Sequence, residues 1–337
     1  MYESFYSLTA KPFQLKPDPD FFFGSKGHKR AMSYLEYGLG QGEGFIVITG
    51  EIGAGKTTLM RSLFRKLENK NIIAAQIVNT HLDASDTLRM VVSAFGLPHG
   101  DVNKADLLIR LEQFLRQCDK QGKRTLLVVD EAQNLTPHTV EELRMLSNFQ
   151  TSEKSLLQIF LLGQPEFRKT LMRNDMQQLQ QRVIATYHLG PLDALETREY
   201  IEHRLLTVGW KGDPNLSVEA FFEIFNFTGG IPRKINSLCD RLFLLGYLEE
   251  RHMFRGTDVQ EVIKDIRNEF VAPVAEPELP EIPKATLGEN KIDRRAGSRD
   301  LDDKIHTMER SVVSVLDMFK QILSRPSVPE NPKDREK

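Results

Sequence analysis

The residue pattern predicts an α/β protein, a parallel sheet with helices on both faces, followed by a small all-helical unit. Short runs of aliphatic and β-branched residues alternate with helical stretches as far as Pro191. Such alternation implies parallel β-α units. The first of these runs feeds straight into a glycine-rich turn and a helix, and beyond Pro191 only helical periodicity remains.

Taken in order, residues 1–25 mix prolines (Pro12, Pro17, Pro19) with Phe13, Phe21, Phe22 and Phe23 and read as an extended segment that packs on its surroundings. A helix is expected over 27–39. Gly44-Phe45-Ile46-Val47-Ile48-Thr49 then has the composition of a fully buried strand. Residues 56–67 read as a helix, 71–78 as a strand and 87–95 as a helix. The helix expected over 105–117 places Leu107, Leu108, Leu111 and Leu115 on one face. Thr125-Leu126-Leu127-Val128-Val129-Asp130 is a second buried strand, 140–148 a helix, 156–162 a third strand and 185–189 a fourth. Helices follow over 196–208, 218–227, 232–249 and 257–270.

From 272 to about 283 the chain is rich in Pro, Glu and Ala, the composition of a linker. In the tail Leu301, Ile305, Met308, Val312, Val315, Phe319 and Ile322 follow a 4-3-4-3-4-3 spacing, an a/d heptad pattern. The expected organisation is an N-terminal segment and helix at 1–42, an α/β core at 43–192 and a helical lid at 193–271. A linker at 272–299, an amphipathic helix for self-association or partner docking at 300–325 and a disordered tail at 326–337 complete it.

Composition narrows the class. Of 337 residues 40% are hydrophobic and 27% charged, which suits a soluble globular protein. A net charge of -2 gives no bulk electrostatic reason for nucleic acid or anionic lipid as the main partner. The two cysteines, Cys118 and Cys239, are far apart and lack nearby His in metal-like spacing, so they read as buried thiols. No secretory signal is present, and no run approaches the ~20 apolar residues of a membrane span. A cytoplasmic protein without a transmembrane segment is expected.

Gly50-Glu51-Ile52-Gly53-Ala54-Gly55-Lys56-Thr57 matches G-x-x-x-x-G-K-[ST] in its required setting, after a buried strand and before a helix. Glycines let the backbone curl so that successive N–H groups face phosphate oxygens. The helix start adds its positive dipole end. In this pattern Lys56 reaches the β- and γ-phosphates of ATP, and the Thr57 hydroxyl is a ligand for Mg²⁺. Downstream, Asp130-Glu131 ends a buried strand. Asp130 is then placed near the Mg²⁺ shell, and Glu131 to polarise the attacking water as general base.

These motifs, with three further stretches, resemble the AAA+ secretion ATPases of the general secretion pathway protein A (ExeA) type. More narrowly, they resemble the ATPases encoded with exosortase (PEP-CTERM) and exopolysaccharide systems. The matching text is Tyr6-Ser7-Leu8-Thr9-Ala10-Lys11-Pro12-Phe13, then Gly50 through Thr58, then Val129-Asp130-Glu131-Ala132-Gln133. It continues with Leu162-Gly163-Gln164-Pro165-Glu166-Phe167 and Gly229-Gly230-Ile231-Pro232-Arg233-Lys234-Ile235-Asn236. The resemblance spans roughly residues 1–270 and stops short of the tail.

The resemblance implies a P-loop NTPase fold with an AAA+ lid and hydrolysis of ATP with Mg²⁺. Gln164 resembles the polar sensor of the γ-phosphate or lytic water. Pro232-Arg233 resembles the second sensor, carried to the nucleotide by the helical lid. Arg182 resembles an arginine finger inserted into a neighbouring subunit, which implies a homo-oligomer; Arg168, Arg173 and a plain surface arginine remain alternatives. The segment 6–13 and His28 are expected to line the adenine pocket, with aromatic core packing an equal reading of the segment. An envelope-assembly or inner-membrane protein is the implied partner, and the inner face of the inner membrane the implied peripheral site. The alternative is a DNA-associated AAA+ ATPase of the transposition target-selection type.

Overall fold

The computed structural model describes residues 1–68, 70–78, 84–100, 102–152 and 154–270. The expected linker at 272–299, heptad helix at 300–325 and tail at 326–337 lie outside the described residues.

A single helical turn, α1 (Tyr2–Phe5), opens the chain, and an extended stretch with one 3-10 turn (Pro19–Phe21) leads to α2 (Lys26–Gln41). Ser25 starts α2 by accepting the His28 N–H, and left-handed Gly42 stops it. The sheet region then runs β1 (Phe45–Gly50), α3 (Lys56–Leu67), β2 (Ile72–Ile77), α4 (Ala84–Ala94), α5 (Lys104–Lys120) and β3 (Arg124–Val129). It continues with α6 (Pro137–Leu146), β4 (Gln158–Gly163), α7 (Pro165–Leu171), α8 (Gln177–Gln180) and β5 (Val183–Leu189). Helices α9 (Ala194–Thr207), α10 (Val218–Thr228), α11 (Pro232–Leu248) and α12 (Gly256–Phe270) make the helical part, with β6 (Asn215–Leu216) and β7 (Met253–Phe254) between them.

All five main strands are parallel, in the order β2-β3-β4-β1-β5. Strands β1 and β4 are buried along their whole length, as parallel strands covered on both faces must be. Strand parity sorts the core. Phe45, Val47, Leu127, Val129, Ile159 and Leu161 face one way, onto Leu88, Val91, Leu107, Leu111 and Leu143 of α4 to α6. Ile46, Ile48, Leu126, Val128, Phe160 and Leu162 face the other way, onto Leu35 and Leu39 of α2 and Leu59, Met60 and Leu63 of α3.

A third apolar cluster joins the helical part to the first residues of the chain. Tyr2, Tyr6, Leu8 and Phe13 pack with Ile201, Leu205, Leu242, Phe243 and Phe254. The rings of Tyr2, Tyr6 and Phe13 all meet Phe243 edge-on, at 5.9, 5.5 and 5.2 Å between centroids. The Tyr6 hydroxyl donates to the Arg251 carbonyl at 2.8 Å.

Two local expectations are corrected, and one stretch without an assigned element is filled. Strands do not stop at Pro191, because β6 and β7 pair in parallel inside the helical part. At two residues each they are too short for any periodicity to announce them. The stretch 165–180 holds the short helices α7 and α8, again below the length at which a helical face repeats. The opening segment is not extended throughout, since α1 forms a turn that buries Tyr2.

Cys118 and Cys239 are free and buried. Among the described residues no helix is long and apolar enough to cross a membrane.

Phe13, 1% exposed, is the test of the N-terminal packing. Phe13→Ala is expected to lower unfolding free energy by about 3–5 kcal/mol, measured by urea titration. A loss below about 1 kcal/mol would mean that the segment is not part of the helical core.

Candidate functional site

Parallel register delivers three loop starts to one sheet edge. Thr49 of β1 lies opposite Gly163 of β4, and Leu161 of β4 opposite Val129 of β3. Gly50 and Gln164 therefore leave the sheet side by side at its carboxyl edge, where α/β sheets bind ligands, and Asp130 leaves the neighbouring strand two residues earlier.

The glycine-rich loop occupies the middle of this edge. Gly53 and Gly55 have φ of +83° and +98°, and a Cβ at Gly55 would lie 2.7 Å from His28 Nε2. Only glycine fits that approach. Lys56 is buried, and its Nζ donates to the Gly50 carbonyl at 2.7 Å and the Glu51 carbonyl at 3.1 Å. Burial pushes its proton affinity below that of an ordinary lysine, against the pull of Glu131, Asp130 and Glu51. A phosphate chain is an anion that favours the charged form.

Behind the loop, Thr57 Oγ1 donates to Asp130 Oδ2 at 3.1 Å. Asp130 is buried, and burial raises its carboxyl pKa while bonds from the Glu131 N–H and the Thr57 hydroxyl oppose that rise. A hydroxyl and a carboxylate oxygen are hard donors of the kind Mg²⁺ takes alongside nucleotide phosphates. Among the described residues no group of three or more His, Cys, Asp or Glu could hold a metal. A magnesium ion here would be held only in part by Thr57 and Asp130, with nucleotide oxygens and water completing its shell. The residues present fit ATP with Mg²⁺.

Glu131 sits at φ 53°, ψ 39°, a left-handed conformation costing a non-glycine residue on the order of 1–3 kcal/mol. Its carboxylate Oε2 accepts from Gln133 Nε2 at 2.7 Å, and Gln164 Nε2 lies 3.5 Å away. The Gln133 Oε1 in turn accepts the Gln164 backbone N–H at 3.0 Å. Gln133 stands in the matched motif, but the sequence alone assigned it no role.

Opposite this edge the helical part closes a cleft. Its lining includes Ile52, Gly53, Gly55, Lys56, Thr57, Thr58, Glu131 and Gln164 from the sheet side, and Pro232, Arg233, Asn236, Tyr200 and Arg204 from the helices. Arg233 touches the loop directly, its N–H donating to the Gly53 carbonyl at 3.2 Å. Gly50 and Glu51 contribute the carbonyls that hold Lys56, and Ala54 is buried behind the loop.

Segment 14–18 with Phe21, Phe22 and Phe23 forms the remaining wall. Of the two readings of 6–13, core packing holds and pocket lining does not: Tyr6 and Phe13 pack in the helical core, and the next residues line the cleft instead. His28 does line it. This wall is fastened on both sides. Arg61 of α3 donates to the Pro17 carbonyl, and Arg65 pairs with Asp20 at 2.9 Å. From α9 the buried Arg204 donates to the Pro12 carbonyl and, at 3.3 Å, to the Gln14 carbonyl. Its guanidinium also lies 4.7 Å from the Phe21 ring centroid. Asn236 accepts from the Tyr200 hydroxyl at 2.9 Å. Sequence reading missed Tyr200, Arg204 and Asn236. The i, i+4 spacing of the first two was visible, but a buried arginine leaves no mark of its own.

The structure does not bring Arg182 to these residues. Its carbonyl accepts the Phe45 N–H at the amino end of β1, and its Nη1 donates to Ser147 Oγ at 2.9 Å. One strand of about 3.3 Å per residue separates it from Gly50, roughly 17 Å. Of its competitors, Arg173 pairs with Asp175 at 3.1 Å and Arg168 is exposed on α7.

Comparison with known proteins agrees with this geometry. Residues 39–171 match the family described as AAA domain. Over 260 residues the chain is 38% identical to General secretion pathway protein A of Aeromonas hydrophila, covering 77% of this chain and 47% of that protein. The chain thus spans about half the length of this relative. Among solved structures, Cdc6p of Pyrobaculum aerophilum matches with a TM-score of 0.58 at 17% identity, over 78% of this chain and 71% of that one. The Aeropyrum pernix ORC1 protein, solved in complex with DNA, gives 0.57 at 16% identity, over 77% and 70%. At such identities the likeness speaks for the fold alone, a five-stranded parallel sheet with a helical part. The chain carries an AAA domain and is related to General secretion pathway protein A.

The His28 contact sets a pH dependence. His28 is buried, its Nδ1 lies 2.7 Å from Ser25 Oγ, and its ring hydrogen-bonds the Ala54 backbone. Burial is the largest influence and holds its pKa below the ordinary 6.5. The unfolded chain therefore binds a proton first, so stability is unaffected above about pH 6.5 and is lost as pH falls from there toward the folded value. His28→Gln keeps a donor for Ala54 and removes the titration. Urea unfolding at pH 7.5 and 5.5 should show a smaller acid loss in the variant than in wild type; equal losses would rule out His28 as a source.

Proposed function

We propose that this chain is an AAA+ ATPase that binds ATP with Mg²⁺ and hydrolyses it to drive or switch assembly or export in a bacterial envelope system. The observation that carries the reading is the meeting of Lys56, Thr57, Asp130, Glu131 and Gln164 at one sheet edge, facing Arg233 across a cleft.

In this reading the N–H groups of 50–57 and the Lys56 ammonium hold the phosphates, with Thr57 and Asp130 on the metal side. Mg²⁺ held there by Thr57 and Asp130 would supply positive charge against the negative charge that develops in phosphoryl transfer. Glu131 takes the proton of the attacking water. Gln164 orients that water or the γ-phosphate, and Arg233 reports the nucleotide to the helical part through α11. Arg182, remote from its own loop, serves a neighbouring subunit, so hydrolysis depends on a homo-oligomer.

The envelope role rests on kinship with General secretion pathway protein A, of which the chain covers less than half. The finer assignment, an exosortase- and exopolysaccharide-linked ATPase working at the inner face of the inner membrane with an envelope-assembly partner, belongs to the same proposal. The DNA-associated alternative has only fold likeness behind it, and the net charge of -2 offers it no electrostatic support.

Lys56→Ala should weaken ATP binding by about tenfold or more, read by titration with a fluorescent nucleotide. Glu131→Gln should keep that affinity and lose turnover by about two orders of magnitude; unchanged turnover would remove Glu131 as the base. Arg182→Ala should lose hydrolysis while binding ATP normally, and mixing it with Lys56→Ala subunits should restore part of the rate. Mixtures no faster than the separate variants would exclude a shared site.

A further inference from the structure

Gln133 touches both Glu131 and Gln164 but does not itself line the cleft. Its Nε2 donates to Glu131 Oε2 at 2.7 Å, and its Oε1 accepts the Gln164 N–H at 3.0 Å. Both partners line the cleft, and Gln133 does not. We propose that Gln133 is a positioning residue for hydrolysis, a carboxamide brace that sets the Glu131 carboxylate against the Gln164 sensor without contacting nucleotide. This rests on the reading of Glu131 as general base.

The residue type suits the task. A brace between a carboxylate and a backbone N–H needs a donor at one end and an acceptor at the other, which the carboxamide of Asn or Gln supplies without a charge. The two partners also determine which way the amide points. Rotating it by half a turn would set oxygen against the carboxylate and NH₂ against the N–H. The spacing suits it too. The 3-10 turn Ala132–Asn134 follows left-handed Glu131, and this fold-back returns Gln133 toward the carboxylate two residues before it.

The backbone conformation of Glu131 does not by itself fix its side-chain torsions, and the bond from Gln133 bears directly on the carboxylate oxygen. Strands β3 and β4 are neighbours, and the Gln133 bonds tie the loops that leave them. A contact made by the γ-phosphate at Gln164 thereby shares its geometry with the water at Glu131. Displacement of a reacting group by about 1 Å costs on the order of a hundredfold in rate.

The test measures steady-state ATP hydrolysis and fluorescent-nucleotide affinity for full-length protein carrying Gln133→Ala or Gln133→Glu, each made also in the Glu131→Gln background. Gln133→Ala should lower kcat by about tenfold or more, with KM and nucleotide affinity within about twofold. Gln133→Glu keeps an acceptor for the Gln164 N–H, loses the donor and sets a like charge beside Glu131. It should fall at least as far, and it carries the test alone if the alanine variant does not fold. In the Glu131→Gln background neither change should lower the residual rate by more than about threefold, because the group being positioned is already gone. Full kcat in both variants overturns the proposal, as does a further tenfold loss in that background. Wild-type turnover by Glu131→Gln alone would instead strike the reading of Glu131, and this proposal with it.

Discussion

Strand register is the constraint beneath the whole site. Three parallel strands must keep one fixed register for a glycine-rich loop, an acidic pair and Gln164 to share one edge. The pairing of Thr49 with Gly163 and of Leu161 with Val129 provides this. Side chains alternate with a period of two, so a slip of one residue would turn the inward aliphatics of a strand to the wrong layer of helices. It would also move Asp130 away from Thr57. The apolar packing that specifies register thus specifies the chemistry.

At that edge the stable arrangement is an uneasy one. Lys56 is desolvated and leans on two carbonyls, Asp130 is desolvated beside Glu131, and Glu131 holds a left-handed backbone. Each of these would be poor design in a structural core. Together they make a place where an added polyanion and a hard cation improve the balance of charge. The sheet supplies enough buried aliphatic surface to hold the arrangement in readiness.

The sheet was legible because its strands are long, apolar and bounded by turns. The edge residues 50–58, 130 and 131 were legible because phosphate chemistry demands particular residue types at particular spacings. What escaped reading was small or non-local. β6 and β7 are shorter than any repeat, and α7 and α8 barely exceed a turn or two. The choice of 14–23 over 6–13 as a cleft wall depends on which aromatics the distant Phe243 captures. Arg204 and Asn236 reach Gln14 across nearly two hundred residues of chain or more, a relation no local pattern records. Gln133 was visible as a letter, but its two bonds become apparent only when the loops after β3 and β4 are seen together.

The doubly fastened wall has a consequence for motion. Residues 12–20 are tied to α3, which carries Lys56 and Thr57, and to α9 in the helical part. Those ties bracket the cleft like a strap buckled on both sides. Any swing of the helices must either carry the strap along or unbuckle one end. The mobility of this short stretch, followed by amide exchange, is therefore a built-in gauge of how far the jaw opens at each stage of a cycle.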